Sequence, residues 1–204
     1  MGRRSPAFTL VETLVVIGII VVLVGLVTPA VSKIQAESKS TGCLSNLRQL
    51  FSAIEAHRQQ HDSLLPNCEP LPAFTAGGPI GGLPSLLKEF IPRDNTAWIC
   101  PADDDPESYE TGTSYIYLPG LYVLTPEVQL QLPPNALLMP AAERKLLEAR
   151  IVTTLYEGNL NTPLPLLMDS QERHAIGSRV PRNGLYIDGS ARILAKPSST
   201  VAVD

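Results

Sequence analysis

From Thr13 to Ser32 the chain carries no charged residue, a run of 20 positions dominated by Val, Ile, Leu and Gly. Wound as a helix at about 1.5 Å per residue, those positions span about 30 Å, the thickness of a bilayer's hydrocarbon core. Arg3 and Arg4 stand before the run. Positive charge ahead of a span holds that end in the cytoplasm and sends the rest outward. A cleaved secretory signal is the competing reading, but its apolar stretch is usually about 7–15 residues and is followed by a small-residue cleavage site. Thr28-Pro29-Ala30 is a poor site of that kind, with Pro in its middle. A membrane anchor is the better reading. An apolar block at one end of a polar chain excludes a coiled coil, a disordered tail protein and a purely cytosolic globule. The 204 residues carry a net charge of −4, which argues against nucleic acid as the main partner.

Glu12 interrupts the apolar start, and a carboxylate at membrane depth costs about 2.5–3.5 kcal/mol even on insertion scales. Either Glu12 sits at the interface among headgroups, or a cation meets it inside an apolar assembly. A cut after Ala7 would supply that cation, because Phe8 would then carry a free α-amine four residues from Glu12. Ala7-Phe8-Thr9-Leu10-Val11-Glu12, followed by about twenty apolar residues, resembles the prepilin signal of type IV pilins and type II secretion pseudopilins. The resemblance implies cleavage between Ala7 and Phe8 by a membrane peptidase that also methylates the new Phe8 amine. It implies pairing of Glu12 with the Phe8 amine of a neighbouring subunit during fibre assembly. Ala7 departs from the Gly commoner in the family but keeps the small residue the cut requires. Pro29 stands where the family often carries a helix-disturbing Pro, and with Gly18 and Gly25 it makes the helix bendable.

Beyond the run the helical period persists: Leu44, Leu47, Phe51 and Ile54 form a stripe, with Lys39, Arg48, Glu55 and Arg58 facing elsewhere. Asp62-Ser63 and Pro66 end the helix, which from Phe8 to His61 would be about 80 Å long. Cys43-Leu44-Ser45-Asn46-Leu47-Arg48-Gln49-Leu50 resembles a segment of one pseudopilin-like subgroup. Eight prolines between Pro66 and Pro106 exclude a single regular element there, and residues 63–110 read as a connection with one short helix, Leu83 to Ile91. Gly77-Gly78-Pro79-Ile80-Gly81-Gly82 lacks the Lys-Ser/Thr of a phosphate loop. Strands are expected at 114–118, 121–124 and 151–156, and a short helix from Ala141 to Arg150. A hairpin is expected where residues 185–187 and 191–194 flank Asp188-Gly189. The organisation is therefore a leader at 1–7, a membrane-spanning and polymerising half-helix at 8–32, an amphipathic half at 33–62 and an extracytoplasmic domain at 63–204. The fold class is α+β, pilin-like, with the long helix packed on a small antiparallel sheet.

His174, Asn183, Asp188 and Gly189 resemble the His, Asn and Asp-Gly hairpin that closes the same subgroup. The gap of 14 residues between His174 and Asp188 is longer than usual and implies an enlarged loop at Gly177–Arg182, which argues against a direct His174–Asp188 contact. No Gly-x-Ser-x-Gly elbow accompanies the histidine, so a serine hydrolase is not supported. His57 and His61, four apart, share a helix face but lack a third metal ligand and read as a solvated helix end. Asp103, Asp104 and Asp105, with Glu107 and Glu110, are calcium candidates by chemistry, although the EF-hand spacing is absent and an exposed acidic loop is the simpler reading. Three cysteines allow one disulfide. Cys68 and Cys100 lie in the Pro-rich region where a staple is most useful, whereas Cys43 and Cys100 are the two that match the subgroup. Cys100 is expected to be engaged, with its partner open.

The resemblance thus implies a structural subunit of a type II secretion pseudopilus, not an enzyme, needing no cofactor. It would stand single-pass in the inner membrane with its C-terminal domain in the periplasm. Its partners would be the prepilin peptidase, other pilin-like subunits and an inner-membrane assembly platform. A type IV pilin for adhesion or motility is the alternative within the class. The rival outside it is a signal-anchored periplasmic enzyme or binding protein with a cleft around His174.

Overall fold

A computed structural model describes residues 10–73, 75, 78–158, 163–174 and 182–194, with the backbone alone at 29 and 30. Helix α1 runs from Leu10 to Gln60, 51 residues, and the chain divides into two compact units within it, at Ser38.

In the first unit every described side chain from Leu10 to Thr28 and from Val31 to Ser38 is exposed. Val15, Ile19, Leu23 and Leu26 are each more than half exposed. Among the described residues α1 is the one helix long and apolar enough to cross a membrane. Pro29 lies inside it and has no N–H to donate, so the carbonyl four residues back loses its usual helix partner. One residue earlier, Thr28 Oγ1 donates to the Val24 carbonyl at 2.7 Å.

The second unit is built on the other part of α1. Ser40, Cys43, Leu47, Leu50, Ile54 and His57 are buried along it at intervals of three and four, one stripe of a 3.6-residue helix. Of the expected stripe, Leu47 and Ile54 are buried, while Leu44 and Phe51 flank it half-buried. Complete burial of Leu47, Leu50 and Ile54 stabilises the unit by about 1.5–3 kcal/mol per side chain. Asp62 and Ser63 turn the chain out of the helix with φ of 51° and 61°. The Ser63 N–H returns to the Arg58 carbonyl at 2.8 Å.

Short helices α2 (Gly82–Leu86) and α3 (Pro106–Thr111) punctuate the Pro-rich region, α4 (Leu118–Tyr122) and α5 (Pro126–Gln129) follow it, and α6 spans Ala141–Gly158. Strands β1 (Tyr115–Tyr117), β2 (Pro165–Asp169), β3 (Asn183–Tyr186) and β4 (Ala191–Ile193) form an antiparallel sheet in the order β1-β2-β3-β4. Tyr117 pairs with Leu167, Leu167 with Leu185 and Leu185 with Ala191, and all four are buried in the same core as the α1 stripe. The molecule is α+β, with a long N-terminal helix against a small antiparallel sheet.

Three local expectations are corrected. Residues 121–124 do not form a strand: Pro119 at the first turn of α4 starts a helix, because Pro suits that position and cannot donate to a ladder. The strand expected at 151–156 is the second half of α6. Val152, Thr153 and Tyr156 are its buried face, a helical spacing that an apolar, β-branched run conceals. The helix expected from Leu83 to Ile91 stops at Leu86 and continues as turns. Strand β2 was not anticipated, since Pro163 and Pro165 make its start read as loop. The hairpin at Asp188-Gly189 forms as expected, with Gly189 at φ 78° and the exposed Asp188 accepting from the Ser190 N–H and hydroxyl at 2.9 and 2.6 Å.

Candidate functional site

Two features combine chemistry with position: the exposed apolar start of α1 and a buried polar centre in the second unit. Ala7 and Phe8, the expected processing site, lie outside the described residues. Glu12 lies in the first turn of α1 and is exposed.

The buried centre forms where α1, the Pro-rich connection and the end of β2 meet. Cys43 and Cys100 are disulfide-bonded with their Cα atoms 4.9 Å apart, closing a loop with a sequence separation of 57. On a chain-entropy account a loop of that size stabilises the fold by about 4 kcal/mol. The bond resolves the choice of partner for Cys100 and leaves Cys68 as a buried thiol, pushed up to about 12 by burial and then by the neighbouring Glu69 charge. Such a thiol is inert at neutral pH. His174 Nε2 lies 3.2 Å from Asp169 Oδ2 and 3.5 Å from Cys100 Sγ. Asp169 Oδ1 lies 3.5 Å from Cys43 Sγ, and Tyr115 Oη is 3.3 Å from the same sulfur. Asp169 Oδ2 also accepts the Asn183 backbone N–H at 2.7 Å.

Local chain chemistry places each of these groups. Asp169 closes β2, opposite Tyr115 in the ladder. His174 follows five residues later and is held by its neighbour Arg173. That guanidinium pairs with Asp103 at 2.9 Å and donates to the Ser108 and Ser170 hydroxyls, each at 3.1 Å. Cys100 is fixed through its own N–H, which donates to Ser114 Oγ at 2.9 Å. The centre is sealed: Cys43, Cys100, Asp169 and Asn183 are fully buried and His174 is 3% exposed.

The remaining candidates fall into separate places. His174 and Asn183 meet around Asp169, while Asp188 and Gly189 serve the hairpin turn; part of the loop expected at Gly177–Arg182 lies outside the described residues. Of the acidic run, Asp103 is buried against Arg173, and Asp105 caps α3 through the Glu107 N–H and contacts Gln171. Burial raises the Asp103 pKa, but the nearby Ser114 and Ser108 hydroxyls, the Asp105 N–H and the Arg173 charge together hold it below its ordinary value. His57 and His61 stack with ring centroids 3.9 Å apart. His57 is buried rather than solvated, and burial, then the His61 charge, lowers its pKa to about 4. Asp169 is the residue that sequence reasoning missed. An Asp ending an apolar strand, five positions before a His, was the available signal.

Comparison with protein-family models, curated proteins and solved structures finds no match to this chain.

Proposed function

We propose that the chain is a pilin-like structural subunit, with a type II secretion pseudopilus as the favoured assembly. One observation carries the reading: α1 leaves its first part, from Leu10 to Val27, exposed in its own unit, and that part begins within Phe8-Thr9-Leu10-Val11-Glu12. Such a helix can be stored in a bilayer and then bundled with copies of itself, because its apolar surface is satisfied in both places. Removal of residues 1–7 would take Arg3 and Arg4 away and create the Phe8 amine. In a bundle the Glu12 carboxylate of one subunit then meets the Phe8 amine of another. Low local dielectric strengthens that attraction while desolvation offsets much of it, so the pair sets register more than it adds net stability.

Glu12→Leu should leave a membrane-inserted, cleaved protein that joins fibres poorly, and Glu12→Gln should be milder because the amide retains a hydrogen-bond acceptor. Membrane fractionation with a fibre-shearing assay tests both. Normal incorporation of Glu12→Leu would reduce Glu12 to an interfacial residue and remove the assembly role.

A further inference from the structure

We propose that the buried centre is a zinc site in its reduced state, with Cys43, Cys100, His174 and Asp169 as the four ligands. Each residue presents one ligand atom, and the four atoms lie within 4.8 Å of one another. Two thiolates, one imidazole and one carboxylate are the donor types that tetrahedral zinc takes, with zinc–sulfur bonds of about 2.3 Å and zinc–nitrogen or zinc–oxygen bonds of about 2.0–2.2 Å. A tetrahedron of those radii has edges of about 3.3–3.8 Å. The separations of 3.5 Å from Cys100 Sγ to His174 Nε2, 3.2 Å from that nitrogen to Asp169 Oδ2, and 3.5 Å from Asp169 Oδ1 to Cys43 Sγ lie in or just below that range, the two Asp169 contacts being made by different oxygens of its carboxylate. The two sulfurs must part, which breaking their bond allows, and the Asp169 carboxylate must turn one oxygen to the metal. Elements distant in sequence supply the ligands, and none of the four is a surface group.

An outer shell is also in place. Tyr115 Oη reaches Cys43 Sγ and the Asn183 N–H holds Asp169 Oδ2, contacts of the kind that orient metal ligands. The Asn183 side-chain amide is buried, and among the described residues neither of its polar atoms has a hydrogen-bond partner.

The two states exclude each other. A dithiol reductant delivers two electrons and two protons to the Cys43–Cys100 bond, becoming a disulfide itself and leaving two thiols. Binding of the metal ion then releases both thiol protons to solvent. A newly exported chain that meets zinc before an oxidant would hold the metal; one that meets the oxidant first would hold the disulfide. Either crosslink ties α1 to the Pro-rich connection.

The test uses the full chain in detergent micelles, reduced with dithiothreitol, desalted without oxygen and titrated with Co²⁺. The expected result is one Co²⁺ per chain, with thiolate-to-cobalt charge transfer in the near ultraviolet, the strong visible bands of tetrahedral cobalt, and displacement by Zn²⁺. Cys68→Ser should bind unchanged. Cys43→Ser, His174→Gln and Asp169→Asn should each weaken binding roughly 100-fold or more, beyond what loss of an outer-shell contact costs. Trp98 fluorescence confirms that each variant is folded. Absence of stoichiometric binding to the reduced chain would overturn the proposal. So would a tetrahedral spectrum that survives in folded His174→Gln, or one equally strong in the oxidised chain.

Discussion

Replacing Arg173 with Met strips the counter-charge from a carboxylate that has nowhere to go. Asp103 has no exposed side-chain surface, the Arg173 side chain is 5% exposed, and their closest atoms are 2.9 Å apart. Removing one member of a buried pair costs about 3–5 kcal/mol, because the other charge is left uncompensated. The same guanidinium joins Ser108, Ser114 and Ser170, so three segments lose a common donor. Urea unfolding in detergent micelles reads this loss through Trp98, the only tryptophan and 1% exposed in the core. Arg173→Met should lower unfolding free energy by about 3–5 kcal/mol at pH 7. Arg173→Met/Asp103→Leu should recover most of that loss, since an apolar pair removes both charges. The sign with pH follows from the depressed pKa of Asp103. Its contribution is present above the ordinary carboxylate value of 3.8 and fades as pH falls through the lower folded value. Acid should therefore narrow the gap between wild type and Arg173→Met. A loss under about 1 kcal/mol, the range of an exposed pair, or a double variant no better than the single one, would refute the reasoning.

His57 should make the second unit acid-sensitive. Its folded pKa is lowered from 6.5 to about 4, so below pH 6.5 the unfolded chain binds a proton that the folded one refuses. Stability should fall between pH 6.5 and 4 by up to about 3 kcal/mol, and His57→Phe should flatten that slope in urea titrations followed at several pH values. Gly120→Ala would place a Cβ 2.2 Å from the Cys68 carbonyl oxygen, a backbone atom that cannot swing aside. It should cost about 1–3 kcal/mol or more in thermal unfolding, while Gly158→Ala, whose Cβ meets nothing within 4 Å among the described residues, should cost nothing.

The parts of the fold legible in sequence are those set by local pattern. The charge-free run, the 3.6-residue stripe after it and the Asp188-Gly189 turn each state their structure within a few residues. Leu47 and Ile54 lie on the stripe as read, while Leu44 and Phe51 flank it: they look more apolar than Cys43 and Ser40, yet the disulfide draws the Cys43 side inward. Residues 121–124 and 151–156 were misread because β-branched and aromatic runs suit strands and buried helix faces alike, and tertiary packing decides between them. The buried centre was half legible. Cys43, Cys100, His174 and Asn183 stood out, but they assemble only when β2 delivers Asp169 beside α1, a contact spanning 126 positions that no local pattern encodes.

The central claim, that α1 is an assembly helix released by a single cut, is tested most directly at the mature N-terminus. Mass spectrometry of the membrane-extracted protein should find a chain beginning at Phe8, with one methyl group on its amine. A chain beginning at Val31, cut after Ala30, would show a secretory signal that discards the apolar helix and Glu12 with it, and would contradict the account.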